Sequence, residues 1–323
     1  MDSADTIARR LTLRELRLVL VAARSGSILK AASEVGLSQP ALSRCIADLE
    51  STFGVKLFDR TNRGITPTPQ GEVVLRRATG VFEELRLAVD ELGHLTEGTH
   101  GELRIGGTPT MCAGILPRAI AAVVVQRPGL RFQVTELELE KVAGDVLTRA
   151  LDFGIGREHP GGDDNLVFDQ LFDDRLFIVA GAQHPLASRH AVALEETVRH
   201  QWVLPEAQGA MAHQLRRQFR RQRLDLPRPL VSTMSMLVRY QLIATNCFLT
   251  VMHGSVLRFG NTPGYLRVLP VDLPVGVPIG IFRLKGRTLA PSAQLLMQAT
   301  QRLAEQMASP NARQLRRELR REA

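Results

Sequence analysis

Cysteine is scarce in this sequence, whose 323 residues include only Cys45, Cys112 and Cys247. Three widely spaced cysteines form neither a disulfide framework nor a pair of metal ligands, which favours a reducing compartment. No run approaches the roughly 18 uncharged apolar residues of a membrane span. The opening MDSADTIARR has no apolar core of a secretory signal. We therefore expect a cytoplasmic protein with no membrane partner.

Motifs typical of enzymes are also missing. There is no nucleophile elbow, no metal-ligand spacing and no phosphate loop, and GIGR at residues 154–157 is not a GxGxxG motif. The histidines are scattered, which is typical of surface or structural positions. The sequence predicts no catalytic residue, no metal and no cofactor. An enzyme with an α/β ligand domain is the less favoured alternative.

Basic residues exceed acidic residues by 41 to 33, which gives a formal charge of +8. Such an excess permits anionic partners without identifying one. Two basic runs occur at residues 214–223 (QLRRQFRRQR) and 313–321 (RQLRRELRR). A solvated helix face and a frayed terminus are the favoured interpretations, with DNA contact as the alternative. The length and the 44% hydrophobic content predict two or three globular domains.

A pair of short helices is predicted across residues 27–53. Ser27 is a suitable cap for the first helix, and Ser38 for the second, because a serine hydroxyl accepts a hydrogen bond from a free N–H of the first turn. Pro40 then falls in that first turn, where its missing N–H costs no intrahelical bond. Leu42, Ile46 and Leu49 form the buried stripe of the second helix.

The outward residues of this second helix suit DNA recognition. Gln39 can bond adenine, Arg44 can bond guanine, and Ser43 can bond either. Pro40 offers apolar contact to a thymine methyl group, and Ser38 lies at the same end of the helix. Two short strands follow around a turn at residues 62–64, where Arg60 and Arg63 are placed to bind phosphate or to enter a minor groove. Helix pair and basic hairpin together predict a winged helix-turn-helix.

Thr68 as a cap and Pro69 at the first helical position predict the start of a long helix. Its apolar seam keeps spacings of four and three over three heptads: Val74, Ala78, Val81, Leu85, Ala88, Leu92 and Leu95. A narrow seam of this kind predicts pairing with a second copy of the chain, whereas a core-facing amphipathic helix is the alternative. Beyond residue 101, short strands alternate with helices, and residues 103–105, 131–137 and 152–156 are predicted to be buried strands of a βαβαβ unit.

The first 71 residues resemble the winged helix-turn-helix of LysR-type transcriptional regulators. The matching positions are Gly26-Ser27, Ala31-Ala32, residues 38–41, Ser43, Ile46, Leu49-Glu50, Gly54, Leu57-Phe58, Arg60, Thr68 and Gly71. The later segments match in pattern rather than in motif. The resemblance implies double-stranded DNA as a partner, homodimers formed through the linker helix, a homotetramer, and RNA polymerase as a further candidate partner.

This resemblance implies an N-terminal all-α winged helix-turn-helix, a long dimerising linker helix, and an α/β two-lobed effector domain like type II periplasmic binding proteins. The expected boundaries are 1–68 for the DNA-binding domain, 69–98 for the linker, 99–308 for the effector domain and 309–323 for a basic tail. Lobe I is expected at about 99–174 and 272–308, and lobe II at about 175–271. A solute-binding protein is an alternative, but it has no use for the first hundred residues.

The same resemblance implies a small-molecule effector, an organic acid or other catabolic metabolite, between the two lobes. The candidate effector-binding residues are Thr108 and Thr110 after the first strand, Arg157, whose guanidinium can bind a carboxylate through two N–H groups, and Ser232 and Thr233 from the other lobe. The alternative roles are ordinary capping for the hydroxyls and a surface ion pair for Arg157. A redox role for Cys112 and Cys247, approaching each other across the cleft, is a further alternative without a sequence feature that lowers their pKa.

Overall fold

The computed structural model describes residue 7 and residues 10–61, 64–96, 102–158, 162–205, 210–260, 264–271 and 273–307. The chain divides into two compact units, residues 1–89 and residues 90–323. The division falls inside one long helix, so this helix is described with the first unit.

Three helices open the first unit. They are α1 (Leu13–Ser25), α2 (Ile28–Glu34) and α3 (Gln39–Phe53). The hydroxyls of Thr12, Ser27 and Ser38 accept hydrogen bonds from the first-turn N–H groups of the three helices in turn. α1 and α3 each end at a glycine in the left-handed region, Gly26 at φ 61° and Gly54 at φ 68°. Each helix therefore begins and ends where its own residues satisfy the backbone.

A two-stranded wing follows the helices. β1 (Phe58–Thr61) pairs antiparallel with β2 (Gly64–Pro67). The wing is attached to α1 because the N–H of Ile65 donates a 3.0 Å hydrogen bond to the carbonyl oxygen of Gly26. Gly64, at φ +136°, permits this approach, since a Cβ there would lie 2.2 Å from the same oxygen.

The core of the first unit is formed by the stripes of the three helices and by the wing. Leu42, Ile46 and Leu49 of α3 are buried, as predicted, against Val19 and Ala22 of α1. Leu57, Phe58 and Ile65 close this core from the wing side. The burial of these apolar side chains, each contributing about 1.5–3 kcal/mol, decides which face of α3 is left for other contacts.

The long helix α4 (Pro69–Thr96) begins at the predicted cap. The Thr68 hydroxyl accepts a 2.9 Å hydrogen bond from the N–H of Gly71. Along the apolar seam, Ala78 is buried, whereas Val81, Leu85 and Leu92 are 41%, 45% and 62% exposed. The predicted position 95 lies at a point where the structure does not describe side chains. The described chain thus leaves the later part of the seam uncovered.

The second unit begins with parallel strands separated by helices. Its first elements are β3 (Glu102–Gly107), α5 (Pro109–Ala113), α6 (Ile115–Gln126), β4 (Arg131–Glu136), α7 (Leu139–Leu147) and β5 (Phe153–Arg157). β3 pairs in parallel with both β4 and β5. The predicted βαβαβ order is confirmed, although the single helix expected over residues 111–126 is broken at Gly114 into α5 and α6.

The prediction that residues 131–137 form a buried strand is wrong. β4 is an outer strand of the sheet with only β3 beside it, and most of its side chains are exposed, including Val134 at 42%. The apolar content of the segment predicted a strand correctly. Its position at the edge is decided by the order of the strands, which no local pattern contains.

Two long strands connect the lobes. β6 (Leu166–Gly181) pairs antiparallel with β11 (Gly276–Leu284) over its first ten residues and with β9 (Phe248–His253) over its last part. The sequence predicted only the second half of β6, because its first half, LVFDQLFDDR, has neither a continuous apolar run nor a strict alternation of apolar and polar residues. α12 (Pro291–Ala304) packs against α6 and completes lobe I. One twisted sheet therefore runs through both lobes.

Lobe II is built on the other half of this sheet. Its remaining elements are α8 (Leu194–Val198), β7 (Gln201–Leu204), α9 (Ala210–Arg221), β8 (Val231–Ser232), α10 (Met236–Ala244), α11 (Gly254–Phe259) and β10 (Leu266–Val268). Apolar clusters lie on both faces of the sheet in each lobe. The predicted two-lobed α/β architecture is confirmed, and the end of β5 (Arg157), the end of β9 (His253) and the first residues of β11 (Val277 and Ile279) lie at the space between the lobes.

Candidate functional site

The first candidate site is the exposed face of α3. Gln39, Pro40 and Arg44 are exposed, and Ser43 is half-buried beside them. The Ser38 hydroxyl accepts a 3.4 Å hydrogen bond from the N–H of Ala41, so this side chain serves as the helix cap. Pro40 lies within the first turn. The buried stripe fixes the helix to its unit, and one continuous polar face remains available for base edges.

The wing contributes a second set of groups. Arg60 lies on β1 and is exposed. Arg63, the other predicted phosphate ligand, lies outside the described residues. β1 and β2 are paired up to Thr61 and Gly64.

Glu50 is one of the positions at which the sequence resembles the family, but the sequence did not indicate what its carboxylate does. Its carboxylate is 8% exposed and accepts hydrogen bonds from the N–H groups of Leu57 at 2.9 Å and Phe58 at 3.4 Å. The ammonium group of Lys56 lies 2.6 Å away. Burial alone would raise the pKa of Glu50, but these hydrogen bonds lower it overall. Glu50 therefore connects α3 to the start of the wing as a carboxylate.

The second candidate site is a cleft of about 860 Å³ between the two lobes of the second unit. Its polar lining consists of Thr108, Thr110, Glu138, Arg157, Glu158, Gln214 and His253. Its apolar lining consists of Pro109, Met111, Leu139, Pro205, Met211, Met234, Val277, Pro278 and Ile279. Residues of both lobes contribute, so a bound molecule would contact both. The volume suits a small organic ligand.

Three of the predicted effector residues line this cleft. Thr108 follows β3, Thr110 lies in α5, and Arg157 ends β5. Thr108 precedes α5 without a side-chain capping hydrogen bond, so the capping alternative does not describe it. The guanidinium of Arg157 lies 4.0 Å from the carboxylate of Glu140, whose side chain is 68% exposed. Such a solvated pair is weak and leaves the guanidinium available to a ligand.

Ser232 and Thr233 are not brought into this lining. Ser232 is exposed on β8, the outer strand of lobe II. The Thr233 hydroxyl accepts a 3.1 Å hydrogen bond from the N–H of Ser235, an ordinary turn contact. Met234, the next residue along the chain, lines the cleft instead. Which of these residues lines the cleft depends on the path of the loop after β8, which no strand or helix repeat specifies.

His253 is a cleft residue that the sequence patterns did not indicate, as are Gln214, Glu138 and Glu158. It ends β9, and the residue is 8% exposed. Its Nδ1 atom lies 3.3 Å from Oδ2 of the fully buried Asp174. The contact lacks hydrogen-bonding geometry, which leaves Nδ1 without a hydrogen-bond partner. The carboxylate of Asp174 instead accepts hydrogen bonds from the N–H and the hydroxyl of Ser255.

The two cysteines considered for redox chemistry differ in environment. Cys112 lies in α5 and packs against the core of lobe I. Burial, and to a smaller extent the charge of Glu136, raise the pKa of the Cys112 thiol to about 12. Cys247 is exposed. A thiol with so high a pKa is a poor nucleophile at neutral pH, so Cys112 does not have the properties of a redox sensor.

The described ranges contain no group of three or more His, Cys, Asp or Glu side chains arranged to hold a metal ion. They also contain no helix with the length and apolar character that crossing a bilayer requires.

Comparison with known families gives two matches that together span most of the chain. The profile of the bacterial regulatory helix-turn-helix protein, lysR family, matches residues 13–72. The profile of the LysR substrate binding domain matches residues 96–305. The first match contains α1 to the start of α4, and the second contains both lobes.

Individual proteins show the same likeness. The HTH-type transcriptional regulator GbpR of Azospirillum brasilense is 28% identical over 294 residues, which cover 90% of this chain and 86% of the relative. A full-length OxyR variant from Pseudomonas aeruginosa has a TM-score of 0.66 and 21% identity, covering 90% of this chain and 97% of that chain. Full-length CbnR in complex with its target DNA has a TM-score of 0.63 and 19% identity, with coverages of 90% and 99%. At these identities the two structures show a shared fold.

Proposed function

Because the chain belongs to the LysR family of bacterial transcriptional regulators, we propose that it binds specific DNA sequences and responds to a small organic acid bound in the interlobe cleft. The family consists of regulators rather than enzymes. The observation that carries the DNA part is the division of α3 into a buried stripe and an exposed polar face. An isolated helix pair occurs in many cores, whereas a face left open beside a wing is suited to the major groove.

In this proposal α3 reads base edges and the wing binds the backbone. Gln39, Ser43 and Arg44 form hydrogen bonds with bases, and Pro40 contacts a thymine methyl group. Arg60 and Arg63 bind phosphate or enter the minor groove. Ser38 positions the helix by capping it. The CbnR structure, which contains target DNA, supports this assignment by its similar fold.

The effector part of the proposal rests on the cleft. Arg157 binds the carboxylate of the acid, with Thr108 and Thr110 as hydrogen-bond donors beside it. Gln214 and His253 replace Ser232 and Thr233 as the contributions of lobe II, because only the former pair lines the cleft. Ligand binding that differs between two arrangements of the lobes shifts their populations and so alters the spacing of paired winged helices on DNA.

The assembly is part of the same proposal. Two copies pair through the exposed seam of α4, and two such dimers form a homotetramer. The proposed functional division is a DNA-binding domain at residues 1–68, a linker at 69–98 and an effector domain at 99–308. The protein acts in the cytoplasm, and RNA polymerase is a further proposed partner at regulated promoters.

Footprinting of the full chain on its own promoter region tests both parts. A screen of small organic acids by thermal shift first identifies ligands, since binding to the folded state raises the melting temperature. We expect a defined protected site whose boundaries change when such an acid is added. The absence of any protected site would contradict the DNA part, and a footprint that no acid alters would contradict the effector part.

The Thr108→Val variant assigns the response to the cleft. It should protect the same DNA site without ligand and lose the ligand-dependent change, because only the hydroxyl is removed. Thr288→Val is the matched control, since Thr288 is exposed and lies outside the cleft lining. A Thr108→Val protein that still responds fully removes Thr108 from the site.

A further inference from the structure

The carboxyl ends of three parallel strands meet at the lobe I wall of the cleft. Glu138 follows β4, Thr108 follows β3, and Arg157 ends β5 with Glu158 after it. The strand order β4-β3-β5 places Thr108 between the other two positions. Neighbouring strands lie about 4.8 Å apart. This edge therefore presents a carboxylate on one side of a hydroxyl, and a guanidinium with a second carboxylate on the other side.

The charges of this edge are mixed rather than positive. Glu138 and Glu158 are exposed, and neither carboxylate has an ion-pair or hydrogen-bond partner within the ranges that the structure describes. Among the described residues, the ion pair of Arg157 is the solvated one with Glu140. A ligand with negative charge alone would meet Arg157 favourably and both glutamates unfavourably. A ligand that also carries a positive charge would satisfy both kinds of group.

The apolar surface of the cleft has a distinct composition. Three of the eight methionines of the chain, Met111, Met211 and Met234, line it, together with Leu139 and Ile279. The described lining contains no phenylalanine, tyrosine or tryptophan. Unbranched thioether side chains adapt to irregular aliphatic shapes. This surface fits an aliphatic body better than a planar aromatic ring, for which stacking partners are absent from the described lining.

His253 lines the cleft from lobe II, and its side chain is about nine-tenths buried. Its Nδ1 atom is fully buried and lies 3.3 Å from Oδ2 of Asp174, so the other ring nitrogen, Nε2, is the one that a ligand in the cleft would contact. A ligand held at the lobe I edge and hydrogen-bonded to His253 would connect the two lobes.

We propose that the effector is an aliphatic amino acid. Its carboxylate binds Arg157, and its ammonium group binds Glu138 or Glu158. Its side chain packs against Met111, Met211 and Met234, and His253 adds a hydrogen bond from lobe II. This assignment rests on the proposed function of the cleft as the effector site and specifies the chemical class of the acid.

Calorimetric titration of the full chain with matched compounds tests the class. The zwitterionic probes are leucine, methionine and 5-aminopentanoate. The comparison compounds are 4-methylpentanoate, which is leucine without its amino group, 3-methylbutylamine, which is leucine without its carboxylate, and the dianion succinate. At least one zwitterion should bind, and its single-charge analogue should bind about tenfold or more weakly, because one charge-assisted hydrogen bond is lost.

Charge-neutralising variants locate the ammonium site. In Glu138→Gln or Glu158→Gln, the preference for leucine over 4-methylpentanoate should fall about tenfold, while binding of 4-methylpentanoate itself is retained or strengthened. A variant that merely unfolds would lose both ligands. Glu195→Gln is the matched control, because Glu195 is exposed on α8 outside the lining, and it should keep the wild-type preference.

The outcomes separate this inference from the proposed function. Binding of 4-methylpentanoate or succinate as tightly as every zwitterion would overturn the amino-acid class and leave a ligand-responsive regulator. The same holds if no zwitterion binds while another screened acid alters the footprint. A footprint that responds to no compound at all would count against the effector role itself. An unchanged preference in both glutamine variants would overturn the assignment of the ammonium group to these residues.

Discussion

The N–H of Leu57 donates a 2.9 Å hydrogen bond to the buried carboxylate of Glu50. This bond connects the end of α3 to the residue before the wing. Because the same carboxylate also accepts the N–H of Phe58, Glu50 holds the start of the wing to α3, in addition to the hydrogen bond from Ile65 to Gly26.

The Glu50→Ala variant should lose about 2 kcal/mol or more of unfolding free energy, since two buried N–H groups are left without an acceptor. Chemical denaturation of the full chain measures it. The lowered pKa of Glu50 adds a pH dependence. Its contribution is complete above the unfolded pKa near 4.5 and is lost as the pH falls through the lower folded value. Asp48→Ala, an exposed acid of the same helix, should change stability by less than about 0.5 kcal/mol.

Arg44 and Arg60 should differ in what they contribute to DNA binding. Arg44→Ala should lose about 1–3 kcal/mol of discrimination between the operator and a single-base variant of it. Arg60→Ala should weaken binding to both sequences equally and reduce the salt dependence of affinity by about one unit of slope. Fluorescence anisotropy at several salt concentrations measures both quantities. Equal, small effects of the two substitutions would contradict the division between base and backbone contacts.

The exposed seam of α4 should control self-association. Leu85→Lys introduces a charge at a seam position that is 45% exposed and should shift the protein towards the monomer, because a lysine in a helix-pairing interface is desolvated without a partner. Val73→Lys is the control, since Val73 is 48% exposed on the same helix but outside the seam. Sedimentation velocity distinguishes them. Equal association of the Leu85 variant and the wild type would place the dimer contact elsewhere.

Cys112 and Cys247 should differ in their rate of alkylation. With the Cys112 pKa raised to about 12 by burial, almost no thiolate forms near pH 8, and iodoacetamide should leave Cys112 unmodified in the folded protein. Cys247 is exposed and should react. Peptide mass spectrometry after a short exposure reads both sites, and denaturation before labelling shows that Cys112 can be detected. Rapid labelling of native Cys112 would reopen the redox alternative.

Acid should destabilise lobe II through His184. Burial, and then the nearby imidazole of His200, lower the pKa of His184 from 6.5 to about 4. Between these values the unfolded chain binds more protons, so the free energy of unfolding falls as the pH drops from about 6.5 towards 4. The midpoint of chemical denaturation, measured at several pH values, follows this dependence. His184→Asn, which keeps an acceptor for the N–H of Leu186, should make the midpoint depend less on pH between these values. His190→Asn, at an exposed histidine, should not.

Local features of the chain were predictable because their causes are local. Ser38 caps α3, Pro40 occupies its first turn, and Leu42 faces the core, as expected from residue type and helical spacing. The βαβαβ succession of β3, β4 and β5 also followed from alternating strand and helix patterns, although their order in the sheet did not. The failures were of another kind: β4 lies at an edge, and Ser232 and Thr233 lie outside the cleft.

The sequence by itself determined the family, the helix boundaries of the first unit, the outward face of α3 and the presence of Thr108 and Arg157 at strand ends. These depend on hydrogen-bonding partners within a few residues and on a repeat of 3.6 or 2 residues. Only the tertiary structure decided that Glu138, Met234 and His253 share one cleft, and that Cys112 is held as a buried thiol. These residues come from segments far apart in the chain, and their proximity depends on how the strands are ordered and how the two lobes close around them.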